Sequence, residues 1–416
     1  MSGVSSLADL LRDRRYLAFW LGQVTSVVGS ALSLVALPAL LLPTRGAQAF
    51  ALVLAAEAVS GVLLLLAGGV IADRYSRSTV MALADVLRMI GVAGLLVFGA
   101  YGPLWLPMLA ACLVGMGTAL YEPAHRAALP QLVGEQLRQQ ANALDAATKR
   151  FGAAGGALAG AALVTAIGPR GALLIDLATF TVSLATLLWL RLPRISGQAA
   201  TPGMRAMLDD ARQGVREVRR RPWALVIMIQ GTVQVFFLFG PNYALLPIVS
   251  LDRYGPAAYG WLSASASLGM VLGSAAAARI RSPRPGLWAM NVLLPCALLP
   301  ACLALPVPLP LWCTAQVLAW AGIGVFIVLW YTALQNEFPE TAQGRVFALD
   351  SIGNFALQPV AIAAAPVLAL TVGLPAFGVV AVAVLLISTY AVFVVPGTVA
   401  LRSPERPAPE PAVATA

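Results

Sequence analysis

Six charged residues of this 416-residue chain lie inside long apolar stretches: Glu57, Asp85, Arg88, Asp145, Asp176 and Asp350. A charge at the centre of a bilayer costs about 2.5–3.5 kcal/mol or more, so each needs a partner or a task. A carboxylate taken out of water favours its neutral form, and a nearby cation restores the charged one. A buried carboxylate can therefore trade a proton for a cation, which is the chemistry of coupled transport. Glu57 fits that task best, being deep in its segment with no basic residue at i±3 or i±4. The alternative for Glu57 is a structural hydrogen bond across a helix bundle. Asp85 and Arg88 share one helical face and read as a structural ion pair or as coupling groups. Asp145, with Lys149 four residues on, reads as structural. Asp176 reads as a packing feature of its helix.

These residues need membrane helices to hold them. The chain is 59% hydrophobic and 11% charged, against about 25% charged in soluble domains. It cannot cover a globular surface with polar groups, so lipid is its main solvent. A membrane helix takes roughly 20 apolar residues, and twelve such spans are predicted. They cover about 16–42, 47–71, 79–100, 104–125, 140–167, 171–190, 223–249, 257–279, 286–305, 310–335, 346–372 and 375–395. Continuous apolar runs, rather than short alternating segments, exclude a β-barrel. The predicted fold class is an all-α polytopic membrane protein.

Arginine placement orients the spans. Most arginines fall near the two termini and in the loops near 75, 132, 206, 282 and 340, while the opposite loops hold Arg45, Arg170 and Arg253. The arginine-rich side, with both termini, is expected to be cytoplasmic in a plasma (inner) membrane. The net charge of +9 is then topological, and no nucleic-acid partner is expected. No cleavable signal peptide is evident before the first span. Leu7, Leu10 and Leu11 among arginines suggest a short amphipathic surface helix.

Several polar and aromatic residues fall deep in the spans and are candidates to line a substrate cavity: Gln23, Ser26, Gln230, Gln234, Asn242, Tyr243, Trp330, Tyr331, Asn354 and Gln358. An amphiphilic ligand wants aromatic surface and a few hydrogen-bond partners; helix–helix contact is the alternative role. Gly152, Gly156 and Gly160 make a smooth face on the fifth span. Gly240-Pro241 and Gln358-Pro359 mark bends. Cys112, Cys296, Cys302 and Cys313 show no C-x-x-C spacing and read as packing residues. The lone His125 reads as an interface residue. No P-loop and no catalytic or metal-binding cluster is found, so neither an enzyme nor a cofactor or metal is expected.

The sequence also repeats. At a shift of 205 residues Gly68 meets Gly273, Arg74 meets Arg279, Gly117 meets Gly322, and Ala143-Leu144-Asp145 meets Ala348-Leu349-Asp350. Six spans separate the copies, so the repeat is parallel. Two pseudo-symmetric six-helix halves with a site between them follow: residues 1–191 and 223–395, joined by a cytoplasmic linker at 192–222. An amphipathic helix is expected over 207–221, and a disordered tail over 396–416.

The stretch Gly69-Val70-Ile71-Ala72-Asp73-Arg74-Tyr75-Ser76-Arg77 resembles the loop between helices 2 and 3 of the major facilitator superfamily of transporters, with Ser76 where glycine is usual. Arg14 to Gln23, Glu122 to Pro130, Asp176 to Phe180 and Gly344-Arg345-Val346 are similar to the drug:proton antiporter branch containing bacterial macrolide exporters and the enterobactin exporter. The resemblance implies the twelve-helix major facilitator fold. It also implies a cytoplasmic latch formed by Gly69, Asp73, Arg74 and Arg77 with Asp350, in which Asp73 caps helix 3. The fifth span departs from the antiporter pattern, with Ala157 for a proline and Ala161 for a glycine. Leu109–Met116 also lacks the arginine often found in helix 4. The expected function is proton-coupled efflux of small amphiphilic molecules by alternating access, by a monomer in the lipid bilayer. Glu57, Asp85 and Arg88 are the proton-coupling candidates. An importer or facilitator, or a non-transporting membrane sensor or scaffold, is the alternative.

Overall fold

The computed structural model describes residues 7–74, 76–190, 192 and 204–403. Among them the chain is helical with no strand, as lipid demands of a backbone that must satisfy its own hydrogen bonds. Nine helices among the described residues are long and apolar enough to cross a membrane.

The first half of the chain forms α1 (Leu7–Arg12), α2 (Arg14–Arg74), α3 (Arg77–Phe98), α4 (Trp105–Leu132) and α5 (Arg138–Leu190). Both α2 and α5 hold two of the expected spans. Gly46 (φ 76°) and Gly168 (φ 78°) break them into two arms each. That left-handed φ is strained for a residue with a side chain and open to glycine. A linker helix, α6 (Met204–Arg219), follows.

The second half is more broken. It runs through α7 (Pro222–Gln234), α8 (Gly240–Tyr254), α9 (Pro256–Ala277), α10 (Pro285–Asn291), α11 (Leu298–Ala304), α12 (Leu309–Glu337), α13 (Glu340–Phe355), α14 (Gln358–Val372) and α15 (Leu374–Ala391). A π-helical turn at Val235–Phe239 precedes Gly240-Pro241, and α13 and α14 part just before Pro359. Both interruptions fall at the bends expected from Gly-Pro and Gln-Pro, since proline cannot complete the helical ladder. The 3-10 turn Leu294–Ala297 between α10 and α11, which contains Pro295, was not expected. Helix α9 is not among the nine apolar ones; Ser263, Ser265, Ser267 and Ser274 dilute it.

Small residues decide how closely these helices approach. Gly152, Gly156 and Gly160 of α5 face the first arm of α2. A methyl group at Gly156 would lie 2.6 Å from Ala31 Cβ and 2.8 Å from the Val28 carbonyl oxygen. Ala157 and Ala161, on another face of α5, meet Gly260 of α9, where a methyl group would lie 2.6 Å from the Ala157 carbonyl. The small residue at that crossing is thus carried by the partner helix.

Two of the three arginines on the arginine-poor side are helix caps. Arg45 donates to the carbonyls of Phe98 (2.7 Å), Tyr101 (2.5 Å), Gly102 (3.1 Å) and Gly99, at the end of α3. Arg253 donates to those of Cys302 (3.0 Å), Leu303 (2.7 Å) and Leu305 (2.6 Å), at the end of α11. Cations there satisfy orphan carbonyls and complement the helix dipole.

Three details differ from the sequence expectation. Leu10 is buried, packed with Tyr16, Phe19 and Leu129 rather than lying on a surface. The backbone stays helical through Arg74, and the cap of α3 is Ser76, whose Oγ accepts from Thr79 N at 3.2 Å. Residues 396–403 pack onto the bundle: Gly286 N donates to Val399 O (2.9 Å), and Ser403 N to Glu337 Oε2 (3.1 Å). Helix α6 lies on α13, with Gly214 against the Arg345 backbone and Arg345 Nη1 donating to Gln213 Oε1 (2.8 Å). Residues 404–416 lie outside the described residues.

Candidate functional site

A cavity of about 470 Å³ opens among the first-half helices. The first arm of α2 contributes Gln23, Ser26, Ser30 and Ser33; the second contributes Phe50, Leu54 and Glu57. Arg88 of α3, Tyr121 and Glu122 of α4, and Lys149, Asp176 and Phe180 of α5 complete most of the wall, with Tyr243 of α8 and Tyr259 of α9 across it. Apolar side chains such as Leu34, Leu37, Val92 and Leu95 fill the rest. This is an aromatic and aliphatic chamber holding a few ionisable groups, suited to an amphiphile.

Close helix contact sets Glu57 in place. Gly115 of α4 packs against the Glu57 backbone and Ser60, whose Oγ donates to the carbonyls of Glu57 (2.8 Å) and Cys112 (2.9 Å). The Glu57 side chain then points into the cavity. Among the described residues it has neither a hydrogen bond nor an ion pair.

Arg88 is held quite differently. It is paired with Asp85, donates to Ser26 Oγ at 3.4 Å, and lies over the rings of Tyr121 (4.2 Å) and Phe180 (4.6 Å). Asp85 is fully buried and also accepts from Ser183 Oγ at 2.7 Å. Arg88 thus reaches Tyr121 of α4 from α3.

The arginine-rich end of the cavity holds a third cluster. Asp145 accepts from Gln23 Nε2 (2.6 Å), faces His125 Nε2 (2.8 Å) and pairs with Lys149 Nζ (3.5 Å). Lys149 also reaches Glu122 Oε2 at 2.8 Å. His125 is buried, stacked on Phe19 (4.7 Å between centroids) and Tyr121 (5.7 Å). It is therefore a core member of an ionic network and not an interface residue. Sequence reasoning also passed over Ser30 and Ser33. Their spacing from Gln23 and Ser26 marks one helical face, a signal that was legible in the chain.

The other cavity candidates scatter. Gln234 Nε2 donates to Ser388 (3.1 Å) and Thr389 (3.0 Å), and Trp330 Nε1 donates to Asp350 Oδ1 (3.2 Å). Tyr331 packs edge-on against Phe347. Gln230 and the Asn242 oxygen are buried with no hydrogen-bond partner among the described residues. Gln358 begins α14, away from the cavity wall. The side chains of Gly69, Asp73, Arg74 and Asn354 lie outside the described residues, and Arg77 is buried at the start of α3.

The sequence signature of the Major Facilitator Superfamily matches residues 19–255. The chain belongs to that superfamily. It is therefore a multi-pass membrane protein of a transporter superfamily. This transporter is 26% identical to the multidrug efflux pump Tap of Mycolicibacterium fortuitum over 388 residues, 89% of this chain and 93% of that one. It is 23% identical to macrolide efflux protein A of Streptococcus pyogenes over 248 residues, 58% of this chain and 60% of that protein. An uncharacterized MFS-type transporter of Bacillus subtilis, YfiS, is 27% identical over 51% of each chain. The chain thus spans only about half to three-fifths of these last two relatives. Among solved structures, a bacterial homologue of the iron transporter ferroportin in an inward-facing state superposes with a TM-score of 0.73 at 16% identity, covering 94% of this chain and 99% of that one. A POT family transporter does so with a TM-score of 0.70 at 13% identity, covering 91% and 95%. These likenesses show the fold.

Proposed function

We propose that the transporter exports small amphiphilic molecules in exchange for protons, by alternating access of the cavity, with Glu57 as the carboxylate at which substrate and proton compete. The Glu57 side chain, without a hydrogen bond or ion pair among the described residues, in a largely aromatic and aliphatic chamber carries this reading. A cationic substrate group stabilises the charged carboxylate; a proton neutralises it and releases the substrate. One residue that accepts either ligand, but not both, makes the transport an exchange. The rocking of two repeats about the site supplies the alternation. The likeness to the efflux pump Tap and to macrolide efflux protein A favours export over import.

The test uses inverted membrane vesicles with an acidic lumen, and ethidium and a macrolide as probes. The wild-type protein accumulates a probe uphill, while Glu57→Gln abolishes uphill accumulation and keeps at most slow downhill flux. Undiminished uphill accumulation by Glu57→Gln would remove Glu57 from the mechanism. The same reading places the arginine-rich face in the cytoplasm. A cysteine introduced by Ala206→Cys should resist an impermeant thiol reagent in intact cells and react once the cells are opened.

A further inference from the structure

We infer that Asp176 is a second proton-binding carboxylate of the exchange cycle, and that it makes the export of a monovalent cation electrogenic. This rests on the proton-exchange reading above and goes beyond it in number and charge. The argument comes from what surrounds each buried aspartate. Among the described residues three aspartates are buried: Asp85, Asp176 and Asp350. Asp85 faces the guanidinium of Arg88, with the Ser183 hydroxyl on its other oxygen, and Asp350 faces the indole N–H of Trp330. The guanidinium and the indole N–H can only donate, and such a donor favours the charged form of a carboxylate.

Asp176 differs. Its partners are hydroxyls, Ser33 Oγ across the helix contact and Thr179 Oγ1 at 3.3 Å. A hydroxyl can donate to a carboxylate or accept from a carboxylic acid, so both protonation states are satisfied. Thr179 Oγ1 also reaches the Asp176 carbonyl, at 2.7 Å. The fit is close: a methyl group at Gly29 would collide with Thr179 Oγ1 and Asp176 Oδ1.

Asp176 is buried at the wall of the cavity. The ionisable groups around it are Arg88 with Asp85 from α3, Tyr121 from α4, Glu57 from the second arm of α2, and Tyr243 and Tyr259 from α8 and α9. Arg88 forms its ion pair with Asp85 and acts on Asp176 only through space; among the described residues Asp176 has no ion pair of its own. In the cycle Asp176 takes a proton from the outward-open cavity, becomes a carboxylic acid, and returns the proton to the inward-open one. Glu57 carries one proton in and one monovalent cation out. The Asp176 proton adds one net positive charge inward per cycle.

Purified protein in proteoliposomes, with ethidium as probe and a potassium–valinomycin clamp, tests the balance above protein-free vesicles. With two protons per cation, one pH unit drives a hundredfold limiting gradient, and each 59 mV adds tenfold. Asp176→Asn should lower the pH response to tenfold per unit and abolish the response to potential. Unchanged responses to both in Asp176→Asn would overturn the inference and leave the Glu57 reading standing. A wild-type protein indifferent to a pH gradient would overturn both. Labelling by dicyclohexylcarbodiimide, which attacks protonated buried carboxyls, gives a readout independent of transport and of the variant's folding. Mass mapping of the wild-type protein should find Asp176 modified at pH 5 and spared at pH 9, with Asp85 spared at both. Absence of Asp176 modification at pH 5 would overturn the proposal.

Discussion

Asp145 accepts from Gln23, faces His125 at 2.8 Å and pairs with Lys149. At the same shift of 205 residues, Asp350 accepts from Trp330 Nε1 at 3.2 Å. His125 stacks on Tyr121, and Trp330 stacks on Phe326; each residue of the first set lies 205 positions before its counterpart in the second. The same aromatic–aspartate corner is built twice, with a titratable imidazole in one copy and an indole in the other. The repeat thus preserves shape while the chemistry is concentrated on one side. Glu57, Arg88, Lys149 and Asp176 all line the cavity from α2, α3 and α5, whereas α8 and α9 offer it tyrosines.

The sharpest way to break this contrast, after Glu57 itself, is Asp85→Asn. It leaves the Arg88 charge buried without its counter-ion, a loss of roughly 3–5 kcal/mol. A large drop in thermal stability of the purified protein is expected, and restoration by the double variant Asp85→Asn with Arg88→Gln. No drop would mean that Arg88 is neutralised elsewhere.

Removing charge from the two equivalent corners should give unequal results. Asp145→Asn disturbs His125, Lys149 and Gln23 together and should cost about 2 kcal/mol, whereas Asp350→Asn weakens one bond and should cost about 1 kcal/mol. Thermal unfolding of the two variants side by side measures the difference. Equal losses would show that the extra partners of Asp145 contribute nothing.

The smallest effect should be symmetric. Arg45→Ala and Arg253→Ala each remove a helix cap of the same design, so each should cost about 1–2 kcal/mol. Hydrogen exchange should rise locally at the ends of α3 and α11. A strongly unequal pair would mean that one arginine has a role the other lacks.

Much of this was open to reading in the chain. Apolar runs of membrane length, separated by charged turns, leave a backbone in lipid no alternative to helix. The aspartate repeat and the Gly-Pro and Gln-Pro breaks were visible for the same local reasons. The isolation of Glu57 could be foreseen only along its own helix, where nothing basic lies one turn away. Whether a residue from another helix reaches it is a question of packing, and Gly115 and Ser60 answer it. Tertiary contact alone decided the partners of the other charges. The partner of Asp176, Ser33, comes to it from α2. His125 looked peripheral until α4 and α5 brought it to Asp145, and Arg45 and Arg253 looked topological until their carbonyl partners came within reach. Hydropathy and helical period act within one segment. Hydrogen-bond partners across segments depend on which faces the small residues allow to touch, and that is a property of the assembled bundle.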